Sequence, residues 1–307
     1  MGKLSRPRKG SLQFYPRKRA AKPLPSLNWK EISADNSQNN PMLGFIGYKV
    51  GMTSVFAKDN TPNSMTQNKR IIIPATILEC PPVKILSARF YKNGKVVSEV
   101  INNNLDGELK RKIKMPKQNT KNLDSIKDYD DLRVIVYSQI NKTNIKKTPD
   151  IAELALGGNL ENKFDFIKDN FAKEIRVGDI FKSMQLVDIR GVTKGKGNQG
   201  PVKRFGVTFR QHKAEKGVRK VGSIGPWHPA RVTFRVPMAG QMGLFTRAVY
   251  NNKVLAINNI NSSDINPSSG FKNFGKVKTD YLILRGSVQG PSKRQLLLTS
   301  PLRLTKK

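Results

Sequence analysis

The chain has 307 residues, with 56 Lys and Arg against 22 Asp and Glu and a formal net charge of +34. Self-repulsion of that size is tolerated where a polyanion neutralises it, so the expected partner is a polyanion. Apolar runs such as Ile71–Ile73 and Leu296–Leu298 fall far short of the roughly 20 residues of a membrane-spanning helix, which leaves nucleic acid ahead of a membrane surface. One cysteine, Cys80, and two histidines, His212 and His228, supply neither a disulfide framework nor a Cys/His zinc site. No metal and no cofactor is expected, and Cys80, which follows Ile77-Leu78, reads as a buried small hydrophobe.

Residues 1–22 carry Lys3, Arg6, Arg8, Lys9, Arg17, Lys18, Arg19 and Lys22 without an acid, and they continue through Pro23, Pro25 and an Asn/Ser-rich stretch to Pro41. A basic segment of this kind is either a solvated tail or an arm that orders on RNA; Phe14-Tyr15 among the cations favours the arm, over 1–41. It has no apolar core region or small-residue cleavage pattern, so no secretory signal is read and a cytoplasmic protein is expected.

Over 42–92 the pattern becomes β. Glycines 44, 47 and 51 interleave with apolar residues from Leu43 to Phe56, as in a bent strand, and further strands are predicted at Arg70–Glu79 and Val83–Tyr91. Lys92-Asn93-Gly94 is a turn signal. The next block, 93–176, reads as an inserted, partly helical acidic subdomain, because 11 of the 22 acids lie between Asp124 and Asp179. A helix is predicted from Thr148-Pro149-Asp150 to Gly157-Gly158, and a second from the spacing of Leu160, Phe164, Ile167 and Phe171. Such an acidic block is expected to face away from RNA.

The remainder, 177–307, reads as a second part of the same sheet. Strand patterns run over Ile175–Phe181 and Met184–Ile189, a hairpin is expected about Asn251-Asn252 between Leu244–Tyr250 and Val254–Asn258, and Tyr281–Val288 and Gln295–Leu298 supply the last strands. The fold class is therefore mainly β with an α+β insertion, and a small closed barrel is preferred to an open parallel sheet.

Inside that second part lies a basic internal extension, 190–237. Between Arg190 and Arg235 stand Lys194, Lys196, Lys203, Arg204, Arg210, Lys213, Lys216, Arg219, Lys220 and Arg231, with eight glycines and a single acid, Glu215. The segment has too little apolar surface for a core of its own; its glycines let backbone approach phosphate closely and its cations neutralise the charge met there. Gly191-Val192-Thr193-Lys194-Gly195-Lys196-Gly197 lacks the spacing and the Ser/Thr of a nucleotide phosphate loop. In Gly225-Pro226-Trp227-His228-Pro229-Ala230-Arg231, Trp227 is either folded back onto the barrel or exposed to stack on a base. His228 has no carboxylate within Ser223–Arg235 to orient it and reads as a hydrogen-bonding or stacking partner, not a general base. Ala230, Val232, Phe234 and Val236 alternate with Arg231, Thr233 and Arg235, the pattern of a strand with one apolar face. The candidate RNA-binding set is Arg6, Arg8, Lys9, Arg17, Lys18 and Arg19 of the arm, Lys194, Lys196, Lys203, Arg204, Arg210, His212, Lys213, Lys216, Arg219, Lys220, Trp227, His228, Arg231 and Arg235 of the extension, and, before the last strand, Lys293 and Arg294.

Arg6-Pro7-Arg8-Lys9-Gly10-Ser11 with Pro16-Arg17-Lys18-Arg19, then Gly44-Phe45-Ile46-Gly47-Tyr48-Lys49-Val50-Gly51-Met52-Thr53, Val192-Thr193-Lys194-Gly195-Lys196-Gly197 and Gly225-Pro226-Trp227-His228-Pro229-Ala230-Arg231 occur in the order found in one family. By these motifs the chain resembles the universal large-subunit ribosomal protein L-three family in its archaeal form. The resemblance implies a six-stranded translation-protein-type β-barrel with long RNA-penetrating extensions, in the cytoplasm as part of the large subunit. It further implies binding to large-subunit rRNA, a role in subunit assembly, and ribosomal-protein neighbours near the sarcin–ricin loop. Trp227 would then stand at the tip directed toward the peptidyl-transferase centre, with Arg219 and Lys220 lining the same finger. Two positions depart from the family pattern: Ser54 follows Met52-Thr53 where many relatives carry His, and Glu215 precedes Lys216-Gly217 where the eukaryotic form has a methylated histidine, so that modification does not carry over. Two other readings, an RNA-modifying enzyme and a nonspecific RNA chaperone, also predict a basic chain. The first lacks convergent carboxylates or a nucleophile with its base in the basic segments, and the second needs no barrel or rigid Trp-bearing finger.

Overall fold

The computed structural model describes residues 9–33, 42–116 and 122–303. In chain order the elements are α1 (Lys30–Ser33), β1 (Gly44–Lys58), β2 (Arg70–Glu79), β3 (Val83–Lys92), β4 (Lys95–Ile101), β5 (Asp131–Ser138), β6 (Ile151–Ala155), α2 (Leu160–Asn170), β7 (Leu186–Val192), β8 (Asn198–Gln199), α3 (Pro201–Phe205), β9 (Gly240–Gln241), β10 (Thr246–Asn259), β11 (Asp280–Arg285) and β12 (Gln295–Thr299). The fold is mainly β. The chain divides into two units, Lys22–Gly191 with Arg247–Lys307, and Met1–Ala21 with Val192–Thr246.

In the larger unit six strands close on themselves in the order β1-β12-β7-β10-β11-β2. Apolar residues of these strands, Phe45, Leu78, Ile189, Leu282 and Leu298 among them, are buried in one cluster. Gly191 sits where the β7 and β12 backbones come together; a Cβ there would overlap the Leu296 side chain. Opposite it, the Gln289 amide donates to the carbonyls of Ile189 at 3.0 Å and Arg247 at 3.1 Å and so ties β7 to β10. Asp188 fixes the same seam. Buried, it accepts from the Asn251 amide at 2.9 Å and the Leu302 amide at 3.0 Å, which holds the carboxyl-terminal segment against β7.

A second, four-stranded sheet in the order β4-β3-β5-β6 stands in the same unit. Asn93 and Gly94, both at positive φ, make the two-residue turn between β3 and β4, as a primed hairpin turn requires. Helix α2 buries Ile167 and sets Phe164 and, just past its end, Phe171 against the core, as their spacing predicts; Leu160, expected on the same face, is exposed, and Phe166 packs there instead. The acids of this region meet bases: Arg89–Glu99 at 3.0 Å, Lys84–Asp106 at 3.0 Å, Lys163–Asp131 at 2.7 Å and Lys142–Glu174 at 2.6 Å. Partly exposed pairs of this kind contribute about 0–1 kcal/mol each, so their main effect is local charge balance.

Several expectations are corrected. The helix predicted from Thr148 is strand β6, because Ile151–Ala155 lies beside β5 in register and pairing overrides the proline-start signal. The hairpin about Asn251-Asn252 is one continuous strand, β10; Asn251 takes a positive φ inside it without reversing the chain. Ile175–Phe181 is a single bridge, Ile175 to Val83, followed by a 3-10 turn at Val177–Asp179. Val83–Lys92, expected in the barrel, belongs to the second sheet. The segment expected to be an arm as far as Pro41 turns into the core well before that: Trp29 and Ile32 are buried, and Leu24 and Leu27 pack beside them. Arg6, Arg8 and the stretch 34–41 lie outside the described residues. Cys80 is buried, and that burial pushes its thiol well above the usual range, which removes it as a nucleophile.

Glu79 is one of the buried carboxyls of the barrel. One oxygen accepts from the Lys278 amide at 2.7 Å, the Thr279 amide at 3.1 Å and the Thr279 hydroxyl at 3.2 Å, while the other is buried without a partner. Burial raises its pKa against the opposing pull of those donors. The folded state therefore holds the proton to higher pH than the unfolded chain, and the stability this group contributes is full below the ordinary carboxylate range and lost as pH rises through the folded value. Urea unfolding of the wild type and Glu79→Gln across that window should show wild-type stability falling relative to the variant as pH rises; a constant difference would contradict the assignment.

Candidate nucleic-acid interface

The smaller unit, Met1–Ala21 with Val192–Thr246, has eighteen Lys and Arg and one acid, Glu215. With so few carboxylates to pair with, its guanidinium groups turn to backbone carbonyls and aromatic rings. Arg204 donates to the carbonyls of Gln241 at 2.9 Å, Met238 at 3.0 Å and Arg17 at 3.2 Å. Arg17 donates to the carbonyls of Arg204 at 3.4 Å and Ser11 at 3.2 Å. The two arginines thus clasp each other's backbone, and burial together with the adjacent Arg17 charge lowers the Arg204 pKa.

Rings complete this cluster. The Arg17 guanidinium lies 4.3 Å from the Phe205 centroid and 5.5 Å from that of Tyr15. Tyr15 stacks on Phe205 at 6.4 Å and meets Phe234 edge-on at 5.8 Å. Cation–π contacts contribute roughly 0.5–1 kcal/mol where exposed and more where desolvated. The Ala20 amide donates to the Leu244 carbonyl at 2.7 Å, and Gly243, at positive φ, lies so close to Lys194 that a Cβ would overlap its carbonyl oxygen. The short ribbon of β8 with β9 and the helix α3, which opens on Pro201 and ends on Gly206 in the left-handed region, finish the base.

Beyond this base, residues 222–231 are all exposed, and Trp227 is 85 % exposed. Of the two positions weighed for Trp227, the open one is found. Ala230–Val236 forms no strand: it is turns and irregular backbone, and Arg231, Val232, Thr233, Phe234 and Arg235 line a groove of 460 Å³. The alternation that suggested a strand instead lines this groove with both apolar and basic groups, with no neighbouring strand to pair with. Arg210 donates through Nε to the Val221 carbonyl at 3.1 Å, and the Arg219 guanidinium lies 5.0 Å from the Phe209 centroid.

The candidate residues therefore separate. Lys9, Lys18, Arg19, Lys194, Lys196, Lys203, His212, Lys213, Lys216, Arg219, Lys220, Trp227, His228, Arg231 and Arg235 are exposed. Arg17, Arg204 and Arg210 are half-buried and hold carbonyls. Lys293 and Arg294 belong to the larger unit, at the turn before β12, where the Lys293 amide donates to the Lys49 carbonyl at 2.7 Å and Arg294 is half-buried. Sequence reasoning grouped all the arginines as phosphate ligands. The signal for a different role was faint: Phe14-Tyr15, Phe205 and Phe234 are rings in acid-poor sequence, which need a cationic or apolar partner. Lys49 was not singled out, yet its ammonium donates to the carbonyls of Val288 and Gly290, and burial lowers its pKa.

A basic, acid-depleted unit carrying an exposed indole has the composition of a nucleic-acid-binding class of protein. The family model for Ribosomal protein L3 matches residues 1–307. The chain is 42 % identical over 316 residues to the large ribosomal subunit protein uL3 of Methanocaldococcus jannaschii, covering 98 % of this chain and 92 % of that protein. It is 41 % identical to uL3 of Methanococcus aeolicus over 98 % and 92 % of the two chains, and 38 % identical to uL3 of Archaeoglobus fulgidus over 98 % and 93 %. The chain belongs to the ribosomal protein L3 family, whose members are structural ribosomal proteins and not enzymes.

Lysine cannot supply the planar fork that lets Arg204 reach three carbonyls. In Arg204→Lys, hydrogen exchange at the Ala20 amide should quicken by about tenfold or more, consistent with loss of ~1–2 kcal/mol of local hydrogen bonding, while amides of β1 and β12 keep their protection. Equal loss of protection in both units would assign Arg204 a global role instead.

Proposed function

We propose that this chain is a structural constituent of the large ribosomal subunit in the cytoplasm and binds large-subunit rRNA through backbone phosphates. In this reading the closed six-stranded sheet is a translation-protein-type barrel. The basic residues at the amino end form an RNA-binding arm, and 190–237 is an extension that enters folded RNA with Trp227 toward the peptidyl-transferase centre. The acidic sheet inserted between the two parts of the barrel faces away from RNA, toward neighbouring large-subunit proteins. The exposed lysines and arginines of the arm and extension, with His212, His228, Lys293 and Arg294, neutralise phosphates, while Trp227 offers a ring on which a base stacks, worth ~1–3 kcal/mol. The single observation that carries this reading is the division of labour within the acid-poor unit: among the described residues, Arg17, Arg204 and Arg210 are committed to its own backbone, and the other cations and Trp227 are exposed.

Phosphate contacts of this number make affinity steeply salt-dependent, but shape-matched contact to one folded RNA survives conditions that strip loosely held basic proteins. The protein should co-sediment with large subunits through a salt wash that removes such proteins. Recovery only in the free pool, or equal affinity for any RNA, would favour the nonspecific chaperone reading.

Trp227 is too exposed to contribute to the core. Trp227→Ala should leave incorporation nearly intact and alter tRNA or elongation-factor binding to the assembled particle. Loss of incorporation with normal function in the surviving particles would reverse that assignment.

A further inference from the structure

The pairing of β1 with β2 runs well past the residues that either strand shares with its other barrel neighbours: β12 reaches only Tyr48 on β1, and β11 reaches only Ala75 on β2. Beyond that, the two strands pair with each other as far as Lys58 and Arg70. Directly opposite pairs Val55 with Ile73 and Ala57 with Ile71 fall on one face, half-buried, whereas Phe56 and Ile72 stand exposed on the other. Period-two alternation thus gives the hairpin an aliphatic inner face.

Ala57, Ile71 and Ile73 of that face and Leu255 of β10 line a groove of 570 Å³. Ile71, Ile73 and Leu255 supply its floor, and Lys58, Lys253 and Arg285 stand among its walls. Met184, 57 % exposed, lies at the same groove. Its one acid, Asp59, is spent locally: the carboxylate accepts from the Thr61 amide at 3.0 Å, the Ser64 hydroxyl at 2.9 Å and the Thr66 hydroxyl at 2.6 Å. The groove therefore presents three cations without a free counter-charge of its own over an aliphatic floor.

An unpaired base seeks a ring or a guanidinium plane to stack on, and phosphate needs no aliphatic floor. The lining carries no aromatic ring, and its single guanidinium, Arg285, stands over an aliphatic floor that neither a base nor phosphate uses. Aliphatic side chains flanked by carboxylates meet both halves of the surface, the floor by burial and the cations by charge.

We propose that this groove docks an extended protein segment bearing aliphatic side chains flanked by Asp or Glu, contributed by a protein neighbour. The source of the segment rests on the large-subunit reading; its chemistry rests on the groove alone. Two measurements separate these. In the first, the full-length chain is titrated at moderate salt with a fluorescein-labelled peptide alternating Glu and Leu, and with a Glu/Ser peptide of equal charge. The Glu/Leu peptide should bind about tenfold or more tightly than the Glu/Ser peptide, and Arg285→Glu and Met184→Glu, both at exposed side chains, should each weaken it by a similar factor, while Arg231→Glu in the other unit leaves it unchanged. Equal binding of both peptides, or equal weakening by Arg231→Glu, would overturn the proposal as mere charge attraction. In the second, benzoylphenylalanine at position 184 is photolysed in salt-washed large subunits; a cross-link to an acid-flanked aliphatic segment of another protein supports the docking, and a cross-link to RNA, to a second copy or to nothing overturns it. Failure of the chain to enter subunits counts against the large-subunit reading, and the peptide titration then decides the groove by itself.

Discussion

The near-absence of carboxylates from one unit of this chain is the constraint from which the rest of its design follows. A folded segment ordinarily offsets its cations with acids, but eighteen basic residues against Glu215 leave no such route. The remaining acceptors that keep a guanidinium charged and satisfied are backbone carbonyls and aromatic faces, and Arg17 and Arg204 use both. Order at the base of the extension is thereby achieved without reducing its positive charge.

The larger unit solves the opposite problem. Its acids sit where bases await them across the four-stranded sheet, as with Arg89 between Glu99 and Glu153, and its closed barrel needs only a few polar ties at the seam. Asp188 takes amides from β10 and from the carboxyl-terminal segment, and Gln289 spans β7 and β10. Each of these is a side chain adding ties beside the backbone ladder, and the hydrogen bonds it makes offset the cost of burying its polar atoms.

What could be read from the residue order follows from whether a signal is local. The strand Arg70–Glu79, the Asn93-Gly94 turn and the helix carrying Phe164 and Ile167 depend on periodicity and turn chemistry within a dozen residues, and each lies where the sequence placed it. Strand β6 carries a proline-start and a Gly-Gly stop that mimic a helix; only its register against β5 makes it a strand, and that partner lies outside any local window. The same limit hid the continuity of β10 through Asn251 and the assignment of β3 to the second sheet. In the candidate interface the exposed lysines and Trp227 were legible because charge and isolation are properties of the sequence itself. That Arg204 is a strut was not, since its carbonyl acceptors at Gln241, Met238 and Arg17 come from segments far apart in the chain.

The clasp between Arg17 and Arg204 also bears on how folding and binding are linked. Two guanidinium groups held side by side repel, and the Arg204 pKa is lowered in part by its neighbour. Whatever brings negative charge near this pair relieves the repulsion in the folded unit more than in an open chain, where the two cations drift apart. Binding free energy from a polyanion is then also folding free energy for the base of the extension, through ordinary mass action. A tip as exposed as 222–231 has little packing of its own, so the position of Trp227 depends on the base on which the loop stands. The cations that hold that base and the cations that face solvent thus act on one equilibrium, the first by setting its geometry and the second by adding to the repulsion that a polyanion would relieve.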